Sequence, residues 1–151
     1  MTAADGIGTG ARPKVPMHLW IVGVLALLWN FMGAFDYLAT QLKLESYMGN
    51  FSEEQLEYFY GIPAWAVSGW AIAVWIGLVG TVGLLLRRKW SVMAFTVSLA
   101  GLALSSIYTL FLSNGPEIMG GTGTVMTVLI WVISIFLVWY SKQQVKAGVL
   151  T

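Results

Sequence analysis

The sequence predicts an all-α membrane protein: an antiparallel four-helix transmembrane bundle with a short interfacial helix in its first outer loop. Three observations predict it. Of 151 residues, 58% are hydrophobic and only 10% are charged, whereas soluble domains carry about 25% charge. The charges are clustered, leaving four apolar runs, each near the roughly 20 residues a helix needs to cross a bilayer. Seven of the eight lysines and arginines then fall on one side of a four-span arrangement.

The first sixteen residues, small and rich in Gly and Pro, read as a flexible cytoplasmic tail. The first span is expected over 17–40. Arg12 and Lys14 precede it, but the run is too long for a signal-peptide core and no A-x-A-like cleavage site follows. It therefore reads as an uncleaved span. The outer loop 41–62 carries its own helix signal. Ser52 and Gln55 have capping-box spacing, and Glu53 and Glu54 suit the positive end of a helix dipole. Leu56, Phe59 and Tyr60 give this helix one apolar face, Gly61 ends it, and Pro63 opens the second span, 63–86.

Arg87, Arg88 and Lys89 form a tight turn before the third span, 90–112. The fourth span, 122–140, follows a turn at Ser113–Pro116 and a flexible Gly120-Gly121-Thr122-Gly123 run. The transmembrane domain closes at 141, and residues 142–151 read as a second cytoplasmic tail with Lys142 and Lys146. Only Lys43 lies on the other side, with Glu45, Glu53, Glu54, Glu57 and Glu117. The excess of basic residues makes their side cytoplasmic, so both termini are expected there.

Each span carries a stripe of small or weakly polar residues at helical spacing. The stripes are Gly23, Ala26, Asn30, Gly33, Tyr37 and Thr40 in the first; Gly69, Ala73, Gly77 and Gly80 in the second; Ala94, Ser98, Gly101, Ser105 and Tyr108 in the third; Thr127, Ser134 and Ser141 in the fourth. Small residues let helix backbones approach closely in lipid. Internal packing is expected for the first, third and fourth stripes. The glycine-rich second is expected to contact another subunit.

Asp36 is the one ionisable side chain inside a predicted span. Such a residue is a candidate proton or cation site, because a carboxylate in lipid is costly. The alternative is a structural bond to the outer loop or to Lys43. Asn30 lies deeper, on the packing stripe, where it either bonds a neighbouring helix or lines a polar cavity. Tyr37, Tyr108, Asn114 and Glu117 are expected to gather with Asp36 at the outer mouth. Glu53, Glu54 and Glu57 read as a solvated face.

Other chemistry is limited by composition. There is no cysteine and a single histidine, His18, so thiolate metal sites, iron–sulfur clusters and bis-histidine haem within one chain are excluded. The glycine run lacks the lysine of a phosphate loop, and no nucleophile elbow or metalloprotease motif occurs. No cofactor and no enzymatic activity are expected. A net charge of +1 gives no basic stripe for nucleic acid. The expected partners are the bilayer and either other membrane subunits or further copies of the chain.

The stretches Trp29–Tyr37, Tyr58–Trp65 and Leu112–Gly115 resemble a family of short proteobacterial inner-membrane proteins that carry the label sugar transporter. The resemblance covers about Trp20 to Tyr140. It implies a bacterial plasma-membrane location and gives weight to Asn30, Asp36, Tyr37 and the Tyr60-Gly61-Ile62-Pro63 segment. Three functions follow as expectations: an accessory or scaffold subunit of a larger membrane complex, an oligomeric small-solute or ion transporter using Asp36, and an envelope sensor using the outer loop.

Overall fold

A computed structural model describes residues 13–151. The expected N-terminal tail, with Arg12, lies largely outside the described residues. All secondary structure among the described residues is helical, in the order α1 (Met17–Gln41), α2 (Glu45–Met48), α3 (Glu53–Tyr60), α4 (Ala64–Leu85), α5 (Ser91–Ile107) and α6 (Gly115–Lys146). A π-helical turn, Tyr108–Leu112, prolongs α5. Four helices are long and apolar enough to cross a membrane: α1, α4, α6, and α5 together with its π turn. In lipid such helices satisfy their own backbone hydrogen bonds, which no open strand can do.

The helix ends follow local chemistry. Ser52 Oγ accepts from the Gln55 N–H while Gln55 Oε1 accepts from the Ser52 N–H, so the capping box starts α3 as its spacing predicts. The ends of α1 and α4 are less legible. Each closes with a left-handed residue that is not glycine, Lys43 (φ 52°) and Arg87 (φ 59°). The next N–H then reaches back five residues, Leu44 to Ala39 O (3.0 Å) and Arg88 to Gly83 O (2.8 Å). This closes orphan carbonyls as a Schellman motif does. Left-handed backbone costs a residue with a Cβ roughly 1–2 kcal/mol, so tertiary contacts must hold both turns.

α4 is the central element. It runs antiparallel to α5, with Gly69 against Gly101 and Ser105, Gly77 against Ser98, Gly80 against Phe95 and Gly83 against Trp90. It runs antiparallel to α1 as well, with Gly77 against Asn30, Gly33 against Val74 and Gly23 against Leu85. The Ser98 hydroxyl donates to Ala73 O across the seam, at 2.6 Å. The expected subunit-facing stripe, Gly69, Ala73, Gly77 and Gly80, therefore faces inward. The α5 backbone fills it at Gly69, the Phe95 ring at Gly80, and the side chains of Asn30 on α1 and Ser98 on α5 meet at Gly77.

α6 is the least covered span. Only 6% of its most apolar stretch is buried. It begins at Gly115, with Pro116 in its first turn, and not near 122. The break expected before the helix occurs within it, at Gly120 (φ 67°, ψ −160°), a conformation open to glycine alone. α6 is tied down near its other end. There Leu137 and Tyr140 join Leu19, Ala26, Leu84 and Phe95 in a buried cluster. The stretch expected as a free C-terminal tail differs too: α6 continues to Lys146, and Val149 and Leu150 are buried in the same cluster.

Gly69→Leu should be among the most disruptive single changes. A Cβ there lies 2.8 Å from Gly101 O and from Ser105 N, both main-chain atoms that cannot rotate away. A loss of at least about 1–3 kcal/mol is expected, measured by denaturant titration in mixed micelles. Leucine at Gly121, whose Cβ position is open, is the control and should cost far less.

Candidate functional site

The candidate polar residues fall into three separate sets. The deepest lies on the seam of α1 and α4. Asn30 Nδ2 donates to Ala26 O at 2.9 Å and to Thr81 Oγ1 at 3.2 Å. Thr81 Oγ1 in turn donates to Gly77 O at 3.0 Å. Asn30 fits because Gly77 has no side chain: a Cβ there lies 2.5 Å from Asn30 Oδ1. Thr81 is fully buried, and the network binds one helix to the other.

The second set lies near the opposite end of α1. Tyr47 on α2 donates its hydroxyl to Asp36 Oδ1 at 2.5 Å. Asp36 is half-buried, and its main-chain oxygen accepts from Thr40 Oγ1 at 2.8 Å. The Tyr47 ring is held edge-on by Phe35 (5.6 Å) and Phe51 (5.8 Å). Burial, followed by the hydrogen bond to Asp36 and its negative charge, pushes the Tyr47 phenol up to about 12. Asp36 thus pins α2 to α1. Lys43 is engaged elsewhere, 4.6 Å over the Tyr60 ring, which favours the alignment of a cation on a π face.

The third set is a cleft of about 340 Å³ between α3 and the start of α6. Its walls include Glu54, Glu57, Tyr58, Tyr108 and Asn114. Tyr108 stacks on Tyr58 (6.3 Å) and meets Trp65 edge-on (6.0 Å). Tyr58 OH lies 3.3 Å from Ser113 Oγ. Glu117 sits exposed in the first turn of α6.

The expected single outer cluster is therefore divided. Tyr108 and Asn114 share the cleft, whereas Asp36 bonds Tyr47, and Tyr37 packs on Trp70 (5.0 Å) and Trp75 (6.3 Å). Tyr47, Thr81 and Trp70 are absent from the sequence-derived candidates. Tyr47 sits in a one-turn helix with too few residues for periodicity to register. Thr81 could be found only by pairing α1 with α4 in register. Among the described residues no group of three or more His, Cys, Asp or Glu converges as metal ligands.

A larger, apolar groove of about 530 Å³ opens between the π turn and α6. Gly115, Gly123, Thr127, Trp131 and Ile135 line it. Its polar atoms are satisfied: Thr127 Oγ1 donates to Gly123 O (2.9 Å), Thr109 Oγ1 to Ser105 O (3.3 Å) and Trp131 Nε1 to Ser106 Oγ (3.2 Å).

Two measurements probe these sets. A double-mutant cycle with Asn30→Ala and Thr81→Val should give a coupling of about 0.6 kcal/mol, the usual size between membrane helices. In an alkaline titration followed at tyrosine absorbance, one phenol should ionise near pH 12 and move down in Asp36→Asn, which removes the negative charge and leaves an amide oxygen as the acceptor. Because the folded value is raised above 10.0, this pair's contribution to stability is fully present below about pH 10 and is lost as pH rises to about 12.

Compared with family models, curated proteins and solved structures, the chain matches none, so any functional reading rests on the residues themselves.

Proposed function

We propose that this chain is an accessory or scaffold subunit of a larger assembly in the bacterial plasma membrane. It is a multi-pass membrane protein by its four apolar helices. The observation that carries the subunit reading is the groove between the π turn and α6. In lipid, helices associate through close packing and not through burial of apolar surface from water. A convex face gains little over lipid tails, but a concave one, open between the π turn and α6 and lined by Leu110, Thr127, Trp131 and Ile135, gives a second helix walls on both sides to pack against.

The polar groups support the same reading. A transporter needs ionisable or hydrogen-bonding groups left free for a solute. Here Asn30 is committed to Thr81, and Asp36 to Tyr47. Neither lines the groove or the outer cleft. The sugar label and the sensor reading gain no comparable support.

The arrangement we infer is an antiparallel bundle with Arg87, Arg88, Lys89, Lys142 and Lys146 at the cytoplasmic face, following the basic-residue bias. Both termini then lie in the cytoplasm, and α3 lies along the opposite membrane surface, its glutamates exposed.

Gentle extraction and mass spectrometry should recover the protein with a stoichiometric partner. Thr127→Leu and Val128→Trp, which fill or obstruct the groove mouth without entering the α4 seam, should release that partner about tenfold more readily and leave the isolated chain's stability within about 0.5 kcal/mol. Asp36→Asn should keep the partner. Recovery of a lone chain in native membranes, together with solute flux abolished by Asp36→Asn in vesicles, would sink the subunit reading.

A further inference from the structure

The end of the molecule formed by the α4–α5 turn is closed by the chain's own last residues. After α6 the backbone reverses at Gly148 (φ 75°), and Val149 and Leu150 are buried among Leu19, Leu84, Phe95 and Tyr140. The Thr151 N–H donates to Arg87 O at 3.0 Å, and the Lys89 N–H donates to Thr151 O at 3.3 Å. Arg87 Nε donates to Val149 O at 3.2 Å. These bonds grip the basic turn from the side and hold Arg87 in its left-handed backbone.

The consequence is a fixed display of positive charge. Arg88 and Lys89 are exposed on the strapped turn, and Lys14, Lys142 and Lys146 are exposed at the same end. Arg87 uses its Nε on the strap, which leaves its terminal guanidinium nitrogens to other acceptors. Every acidic side chain among the described residues lies toward the other end of the helices, from Asp36 and the α2–α3 glutamates to Glu117. Trp20, Trp90 and Trp139, between 43% and 56% exposed, stand at this basic end. Half-exposed tryptophan rings sit at headgroup depth in a bilayer.

We propose that this strapped basic face binds anionic phospholipid headgroups. The charges are unmatched within the described chain, and the tryptophans set them at the depth of the lipid phosphates, so charge complementarity selects a lipid and not a soluble anion. Arginine and lysine bond phosphate oxygens through charge-assisted hydrogen bonds. Each basic residue held near an anionic surface adds attraction that is lost in salt. The strap contributes by fixing the Arg87–Lys89 spacing, so less side-chain and backbone freedom is lost on binding.

The test uses the full chain in phosphatidylcholine nanodiscs and vesicles containing brominated phosphatidylglycerol or brominated phosphatidylcholine, with quenching of tryptophan fluorescence as the readout. The expected result is a several-fold preference for phosphatidylglycerol, removed by high salt. Arg88→Gln with Lys89→Gln should bring the preference close to none, given the attraction per basic residue. Both side chains are exposed and neither serves the strap, so folding is retained; Lys142→Gln with Lys146→Gln gives a second, independent loss. Lys43→Gln removes one positive charge at the opposite end and should leave the preference intact. Equal quenching by the two lipids, an equal loss in Lys43→Gln, or displacement of the lipid by inorganic phosphate at constant ionic strength would overturn the proposal. The outcome is independent of whether a protein partner fills the α6 groove.

Discussion

The close approach of α4 to its two neighbours is the interaction on which the rest depends. A membrane gives helices no hydrophobic reason to associate, because lipid tails are as apolar as leucine. What remains is contact between backbones and a few hydrogen bonds. Glycines on α4 provide both. Gly69 admits the Gly101 and Ser105 backbone, and Gly77 admits Asn30 and Ser98. With that space filled by a side chain, the Asn30–Thr81 bond and the Ser98–Ala73 bond lose their geometry together. One stripe thus sets the helix separation and the polar satisfaction of the core.

The same economy explains why the polar residues do not combine into one site. Three of them join elements that packing alone holds weakly. Asn30 joins α1 to α4, and Asp36 joins α1 to the short α2 through Tyr47. Tyr58 and Tyr108 stack across the cleft between α3 and the π turn. A buried polar group without a partner costs more than the bond it makes gains. Pairing these groups locally is cheaper than gathering them around an empty space.

α6 is the exception to close packing. Its first turns, broken at Gly120, diverge enough from α5 to leave the apolar groove, while its other end is fastened by Leu137, Tyr140 and the strap of Val149 and Leu150. The molecule is therefore tightest at its basic end and loosest near the cleft. This gradient separates the two proposed interactions: helix docking where α6 stands away, and lipid headgroups where the strap holds the turn rigid.

The sequence by itself determined the membrane class, the four apolar helices and the start of α3. These follow from local causes: hydrophobic length, charge clustering and a capping box whose partners are three residues apart. It also singled out Asn30 and the α4 glycine stripe, but it left Asn30 between a helix bond and a cavity and assigned the stripe to another subunit, whereas both serve the contacts of α4 within the chain. The tertiary structure decided who meets whom. That α4 turns its glycines to α1 and α5, that Asp36 meets Tyr47 and not Tyr108, and that the last residues form a strap all depend on the rotation and register of the helices. Periodicity reports which residues share a face, but the lipid environment is apolar on every side, so it does not say which way that face points. Only the contacts between helices fix that.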